Sequence, residues 1–451
     1  MRHQLRGLAV SLLVVTSATT IGAQSGRTQS QVSNTAAIDA LHQRLDRDAD
    51  TVLPKVVALR RLLHQHPELG NREVQTSKLL ADRLRALGYE VRTGIAKTGV
   101  VGVLRGGRPG PVVALRSDID ALPVIEETGL SFASTDRAQF NGRDVGVMHA
   151  CGHDVHMAMM MGAAEVLAGM KADLPGTVKI IFQPAEEGAP AGEEGGAELM
   201  VKEGVLENPK VDAIFGLHVG ITPLEAGSIS FRPKGIMAAS DTFSITVRGR
   251  STHGAMPWAG VDPIVVSAQI VMGLQTIISR QSDLTTAPAV LTVGTIEGGN
   301  RFNIVPDEVR FTGTIRTFDG EMQKRIHEGV TRTAGHIAAA AGAKAEVKIE
   351  IGNPVTWNDP ALTERMTPTL KRVAAGTFNP NAQVTTGAED FSAYQKQVPG
   401  LFFFLGVAPK GSDPAMWAAN HSPKFNPDES ALITGVRALA SLAVDFLSGN
   451  R

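Results

Sequence analysis

Cys151 is the only cysteine in the chain, and it sits in Met148-His149-Ala150-Cys151-Gly152-His153-Asp154-Val155-His156. A thiolate beside imidazole nitrogens is the donor set that zinc and the late first-row metals favour, and the charge of such an ion deprotonates the thiol outright. In an extended segment residues two apart share a face, so His149, Cys151 and His153 are expected to converge on one point. Two other readings of the same string stand beside metal ligation. One is a buried structural cysteine among loop histidines. The other is a nucleophilic Cys151 with His153 as its base, which would need no metal.

Further donors recur along the chain in one kind of place. Asp118 and Asp120 follow the apolar run Val113-Ala114-Leu115, and Glu186 and Glu187 follow Ile180-Ile181-Phe182. His218 ends Ala213-Ile214-Phe215-Gly216-Leu217, and His421 follows Leu401 to Leu405 after a loop containing Trp417. Each lies at the end of an expected strand or in the loop beyond it, where open α/β sheets keep their ligand crevice. Taken singly, the carboxylate pairs read as solvated loops, His218 as a satisfied semi-buried histidine and His421, before Ser422-Pro423, as a turn residue. Their shared placement on one sheet edge favours a site.

The elements that must hold these residues read as an α/β protein. Apolar residues at helical spacing run from Ile38 to His66 and stop at Pro67, and a second helix covers Val74 to Leu87 before Gly88. Strands are expected from Tyr89, at Val100 to Leu104 and at Val112 to Leu115, the last two separated by a turn cluster at Gly106 to Gly110. Helix at Met157 to Ala172, strand at Thr177 to Phe182, helix at Glu198 to Glu203 and strand at Ala213 to His218 then alternate, as in a mostly parallel or mixed sheet covered by helices. From Ser240 to Ile351 the order becomes β-α-β-β-α-β, the ferredoxin-like sequence of elements, which can close a small core of its own. The first rhythm resumes with helices at Ala361 to Ala375 and Glu429 to Leu447 around a strand at Gly400 to Phe404. The expected division is a catalytic domain in two parts, 37–239 and 352–451, interrupted by an inserted domain at 240–351.

Composition narrows the class. Hydrophobic residues make up 43% and charged residues 20% of the 451, ordinary values for a globular protein with a sizeable core. Forty-four basic groups against 45 acidic ones leave a net charge of −1. Nucleic acid and anionic membrane surfaces are therefore not expected partners. Arg2 and Arg6 precede an uncharged apolar run from Leu8 to Ile21, and small residues follow at Gly22-Ala23. We expect 1–23 to be a signal peptide, with no membrane span once it is removed, 24–36 to be a polar linker, and the protein to be exported, periplasmic or secreted. A lone thiol in an oxidising compartment is a liability that metal ligation would remove.

Several of these strings together carry a family resemblance. They are Arg61-Leu62-Leu63-His64-Gln65-His66-Pro67-Glu68-Leu69, His149-Ala150-Cys151-Gly152-His153-Asp154, Pro184-Ala185-Glu186-Glu187-Gly188, Gly216-Leu217-His218, Ser251-Thr252-His253-Gly254-Ala255-Met256-Pro257 and His421-Ser422-Pro423-Lys424-Phe425. The set resembles the metal-dependent amidohydrolases of the aminoacylase/carboxypeptidase superfamily, in particular the branch of hippurate hydrolase and the indoleacetyl-amino-acid hydrolases. The resemblance implies a mixed-sheet, zinc-peptidase-like catalytic domain with an inserted lid and dimerisation domain. It also implies a dinuclear centre bridged by Cys151, with Glu187 and His421 on one ion, His153 and His218 on the other, and Asp120 orienting a ligand from behind. Glu186 would be the general base and not a ligand. His253, reaching in from its own chain or across a dimer, would face the carbonyl oxygen, where a donor is worth roughly 2.7–4 kcal/mol. Asn303 and Arg316 match substrate-contacting positions, Arg316 as the fork for an α-carboxylate. In Gly387-Ala388-Glu389-Asp390-Phe391, a further loop of the pattern, Ala388 stands where serine is usual, and Glu389 receives no role.

The expected function is hydrolysis of the amide bond of N-acyl amino acids by metal-activated water with Glu186 as base. Two ions about 3.5–4 Å apart can share a water and polarise the carbonyl. A dipeptidase or carboxypeptidase of the same superfamily is the alternative, and a binding protein without turnover is the remaining class. The expected cofactors are two divalent ions, zinc or manganese first, with cobalt or nickel also compatible with the donors. The expected partners are a small N-acyl amino acid or dipeptide and a second copy of the chain. The shape of the acyl pocket depends on loops such as Phe132 to Gly142.

Overall fold

Four apolar runs decide the architecture, because each forms a strand whose core residues are buried on both faces, as strands sandwiched between helices must be. The structure is a computed structural model, and it describes residues 22–220, 224–413 and 416–449. Internal contacts divide the chain into residues 1–44 and 45–451, and the architecture below belongs to the second unit.

In chain order its elements are α1 (Gly22–Gln65, entering the unit at Leu45), α2 (Val74–Ala86), β1 (Glu90–Ile95), β2 (Gly99–Arg105), β3 (Arg108–Asp118), β4 (Arg137–Phe140), β5 (Arg143–Gly146), α3 (His153–Gly169), β6 (Pro175–Gln183), α4 (Gly196–Lys202) and β7 (Ala213–Val219). There follow β8 (Ile229–Ser230), β9 (Lys234–Met237), β10 (Ala239–Arg248), β11 (Thr252–His253), α5 (Pro263–Gln281), β12 (Ala289–Gly298), β13 (Ile304–Val305), β14 (Glu308–Thr317), α6 (Gly320–Ala340) and β15 (Lys344–Ile351). The chain closes with β16 (Thr356–Asn358), α7 (Pro360–Val373), β17 (Phe378–Asn379), α8 (Ser392–Gln395), β18 (Gly400–Leu405) and α9 (Leu432–Leu447).

The main sheet has the order β1-β2-β6-β3-β7-β18-β8-β17. Its centre, β6-β3-β7-β18, is parallel throughout, while β1, β2 and β8 add antiparallel pairings. Helix α9 is buried on nearly every side and packs against α3 and β3, which explains its apolar character all round.

The 239–351 segment forms a second sheet of order β12-β14-β10-β15, antiparallel at every step. Phe243, Ile245 and Val247 from β10 and Phe311 and Ile315 from β14 meet Ile270, Leu274, Ile326 and Val330 from α5 and α6 in one apolar core. Asp262 and Asp319 start the two helices by accepting the free backbone N–H groups of Ile264 and Met322.

Four expectations are adjusted. Residues 1–21 of the expected signal peptide lie outside the described residues. The expected linker, 24–36, lies within α1 as helical backbone. Strand β3 starts at Arg108, inside the expected turn cluster, because Arg108 pairs with Pro175 ahead of a register shift. Phe132 to Gly142 is also more than a loop: β4 and β5 form a hairpin turned by Asn141-Gly142, with φ of 50° and 73°. Asn-Gly between short alternating runs is the sequence signal for that turn.

Candidate metal centre

The carboxyl ends of four neighbouring parallel strands deliver most of the donors. Asp118 ends β3 with Asp120 two residues on, Glu186 and Glu187 follow β6, His218 is the penultimate residue of β7, and His421 lies in the long connection after β18. Cys151 and His153 arrive from the other side, at the start of α3. There Gly152 adopts φ +92°, and a Cβ on it would lie 2.5 Å from Val219 Cγ2, so only glycine allows this turn. The His421 backbone N–H, at φ +69°, donates to the Ala150 carbonyl at 2.8 Å. Asn420 Nδ2 donates to the carbonyls of Cys151 (2.9 Å) and Val219 (3.0 Å), tying three ligand-bearing segments together.

Ligand atoms of Cys151, His153 and His218 lie within 4.8 Å of one another, and so do those of Cys151, Glu187 and His421. The two groups share the one thiol. Cys151 Sγ is 3.3 Å from His218 Nε2, and His421 Nε2 is 3.0 Å from Glu187 Oε1 without hydrogen-bonding alignment. His149 is not among these donors. The chain is not extended through Gly152, so the expected alternation fails, and the His149 ring is buried with neither nitrogen hydrogen-bonded.

Contacts behind the donors set their orientation. His153 Nδ1 donates to the Asp120 carbonyl at 2.8 Å and faces the Asp120 carboxylate at 3.3 Å, which leaves its Nε2 buried without a hydrogen bond, 3.8 Å from Asp118 Oδ2. His218 Nδ1 donates to the Val219 carbonyl at 2.8 Å, turning Nε2 toward the thiol. Asp120 Oδ2 accepts the Glu187 N–H at 2.9 Å. A buried, unpartnered imidazole nitrogen beside a thiol and a carboxylate fits a divalent cation, and backing hydrogen bonds of this kind fix tautomer and angle. Burial and the carboxylates of Glu187 and Glu186 push the Cys151 thiol well up. Burial opposes charge on His153, yet Asp118 and Asp120 hold it at about 10. This negative field is the one a cation would enter, and its charge would reverse the thiol's preference.

Glu186 borders the ligand cluster and also comes within 4.8 Å of Glu389 and Asp390. Burial, then the negative charges of Glu389 and Glu187, raise it well above the ordinary carboxylate range, while Arg116 pulls it back. Several residues of this network carry no recognisable sequence signal. Arg116, fully buried, joins Asp118 (2.9 Å), Asp390 (2.9 Å) and Glu389 (3.0 Å). Asp118 in turn accepts from His156 Nδ1 at 2.6 Å. Glu73 accepts the Ala185 N–H at 2.9 Å and so holds the turn, φ +51°, that aims the two following glutamates.

The three residues expected from the 239–351 segment stand apart from this cluster. His253 is exposed on the β11–β13 ribbon, where its Nδ1 accepts the Ala255 N–H at 3.0 Å. Asn303 lies beside it, its carbonyl accepting the Gly254 N–H and its Oδ1 unpartnered. Arg316 sits on β14 opposite Ser240 and Val290. Among the described residues, no hydrogen bond or ion pair joins any of the three to the metal donors.

Comparison with known proteins bears on the chemistry of this arrangement. The model of peptidase family M20/M25/M40 matches residues 114–445. Thermostable carboxypeptidase 2 of Saccharolobus solfataricus is 38% identical over 90% of this chain and 99% of its own length. N-acetyl-L-cysteine deacetylase of Bacillus subtilis is 36% identical over 89% of this chain and 90% of its own. A crystal structure of a dinuclear metal binding peptidase from the M20 family, also of Bacillus subtilis, superposes with a TM-score of 0.74 at 35% identity and covers 88% of this chain and 99% of that one.

Proposed function

The chain belongs to peptidase family M20/M25/M40, and from that premise we propose that it hydrolyses the amide bond of N-acyl amino acids with two divalent ions held around Cys151. The observation that carries this reading is the pair of three-donor groups sharing one thiol, with Glu186 beside them. Cys151, Glu187 and His421 would hold one ion, and Cys151, His153 and His218 the other. When bound, the ions supply Lewis acidity that lowers the pKa of water and polarises the amide carbonyl.

The remaining steps belong to side chains. Glu186 takes the proton of the attacking water and returns it to the departing amine; without ions, burial and then the charges of Glu389 and Glu187 hold its carboxyl above the ordinary range. Asp120 keeps His153 and the Glu187 backbone in place. His253 offers a donor to the carbonyl oxygen from the 239–351 unit. Arg316 takes the α-carboxylate and Asn303 contacts the substrate; among the described residues the Arg316 guanidinium has neither hydrogen bond nor ion pair, which suits that task.

That unit reads as a ferredoxin-like lid and dimerisation domain, supported by its sheet order and by exposed Trp258 and Phe302. Export rests on the amino-terminal apolar run, and amino-terminal sequencing of the mature protein tests it. Similarity to the Saccharolobus carboxypeptidase favours a second reading, cleavage of dipeptides or carboxyl-terminal residues. A panel of N-acyl amino acids and dipeptides separates the two.

Glu186→Gln tests the proposal directly. Metal content should stay at two ions per chain while kcat falls by at least about a hundredfold, the usual worth of a positioned base. Turnover retained in that variant would remove Glu186 from the mechanism.

A further inference from the structure

The backbone on either side of Glu186 is pinned by a carboxyl group from elsewhere in the chain. Asp120 Oδ2 accepts the Glu187 N–H at 2.9 Å, and Glu73 Oε1 accepts the Ala185 N–H at 2.9 Å. Ala185 is buried and stands at φ +51°, a region that residues with a Cβ rarely adopt, so its peptide has to be held there from outside. The directions in which the next two side chains leave the backbone depend on that peptide.

The place of Glu73 in the sequence gives no hint of this task. It stands immediately before α2, where a carboxylate ordinarily accepts the free N–H groups of the first helical turn. Glu68 does that instead, accepting from Gln75 at 3.1 Å and Thr76 at 2.8 Å, and the Glu73 side chain makes no cap. It turns inward, fully buried, to two partners: the Ala185 N–H and the Thr98 hydroxyl, the latter at 2.6 Å. Burial and the charge of Asp120 push Glu73 up to about 7. With or without its proton the group keeps one oxygen to accept from Ala185, and an amide in its place would do the same.

Residues beside Glu73 anchor the far end of the same connection. Asn71 Nδ2 donates to the Glu194 carbonyl at 3.0 Å, Arg72 pairs with Glu193 at 2.6 Å, and Lys97 meets the same carboxylate. Loss of the Glu73 bond therefore frees the Ala185 end alone, while the loop stays attached at Glu193 and Glu194.

We propose that Glu73 is a positioning residue for the reaction: by holding the Ala185 peptide it fixes the directions of both Glu186 and Glu187. It touches neither substrate nor ion. The proposal rests on the amidohydrolase reading above and adds to it a residue from the start of α2.

The test compares Glu73→Leu, which keeps the volume and removes the acceptor, with Glu73→Gln, which keeps both. Two quantities are read on the full chain: kcat and KM of the metal-loaded protein on N-acetyl-alanine, N-benzoyl-alanine and alanyl-alanine, and the chelator concentration that strips each ion. Glu73→Leu should lower kcat per folded chain about 10- to 100-fold with KM within about twofold, because a slightly misplaced base costs turnover and not binding. It should also release one of the two ions at roughly tenfold less chelator, since Glu187 leaves the same turn. Glu73→Gln should restore both to within about threefold. If Glu73→Leu does not fold, Glu73→Asp, whose carboxylate falls short of Ala185, takes its place with the same expectation. A variant that unfolds at lower urea but keeps kcat per folded chain and both ions, or a glutamine that fares no better than leucine, overturns the proposal. Wild-type protein inactive on all three substrates removes the amidohydrolase reading, and the chelator titration then decides on Glu73 alone.

Discussion

His64 shows how charge is stored behind the site. Its ring is fully buried, with Nδ1 2.9 Å from Asp154 and Nε2 3.0 Å from Glu126, and Arg60 Nε meets the same Asp154 oxygen at 2.9 Å. Burial opposes charge on the ring, but Asp154 and Glu126 outweigh it and raise His64 to about 9. A folded-state value above the ordinary 6.5 means that the stabilisation is complete below 6.5 and fades as pH rises through about 9. The difference corresponds to roughly 3 kcal/mol. Urea unfolding at pH 6, 8 and 10 should show this loss, and His64→Gln should flatten the profile; an unchanged profile in the variant would assign the dependence elsewhere. A second residue-scale prediction concerns the Asp120 carboxylate, which faces His153 Nδ1 at 3.3 Å and accepts the Glu187 N–H at 2.9 Å. Asp120→Ala should weaken metal binding about 10- to 100-fold in chelator competition, with the fold retained. That Asp120, Cys151, His153, Glu187, His218 and His421 come together was legible in the sequence through their motifs. Glu73, Arg116 and Asn420 were not, because a lone polar residue announces no partner until the fold supplies one.

At the scale of elements, the start of α3 concentrates the constraints. Gly152 must reverse the chain between two ligands at a φ that other residues avoid, against the side chain of Val219. Gly152→Ala should therefore cost about 1–3 kcal/mol in chemical unfolding and reduce bound metal below two ions per chain. Full occupancy with normal stability would show that the turn tolerates a Cβ. This turn also explains a misplaced expectation. Residue alternation puts His149, Cys151 and His153 on one face only if the segment stays extended, and Gly152 ends the extension. Long strands such as β6, β7 and β18 were readable from apolar runs bounded by turn residues, and their carboxyl ends located the site. Two-residue strands such as β8, β11, β13 and β17 hold too few residues for any periodicity, and only tertiary pairing defines them.

For the whole molecule, the distribution of exposed apolar surface separates the 239–351 unit from the rest. Phe302 is 95% exposed, Trp258 79% and Met272 71%, with Ile296 and Ile304 also open to solvent. Strand β12, which carries Ile296, is an edge with β14 as its one neighbour among the described residues. A row of unpaired backbone groups flanked by large apolar side chains is unfavourable in water, and pairing with a second copy removes both costs. The homodimer proposed above thus makes a demand on the ribbon that carries His253 and Asn303, since Phe302 and Trp258 are its neighbours in sequence. Light scattering should give twice the chain mass for the wild type and a single chain mass for Trp258→Glu combined with Phe302→Glu. If His253 serves the partner's metal centre, the monomeric double variant should lose activity as His253→Ala does, yet keep both ions. Mixing it with the His253→Ala chain would restore no turnover, because the charged surface of the double variant cannot pair with the intact surface of the His253→Ala chain. A monomer with full turnover would instead place His253 over its own chain's site and leave the dimer a purely structural assembly.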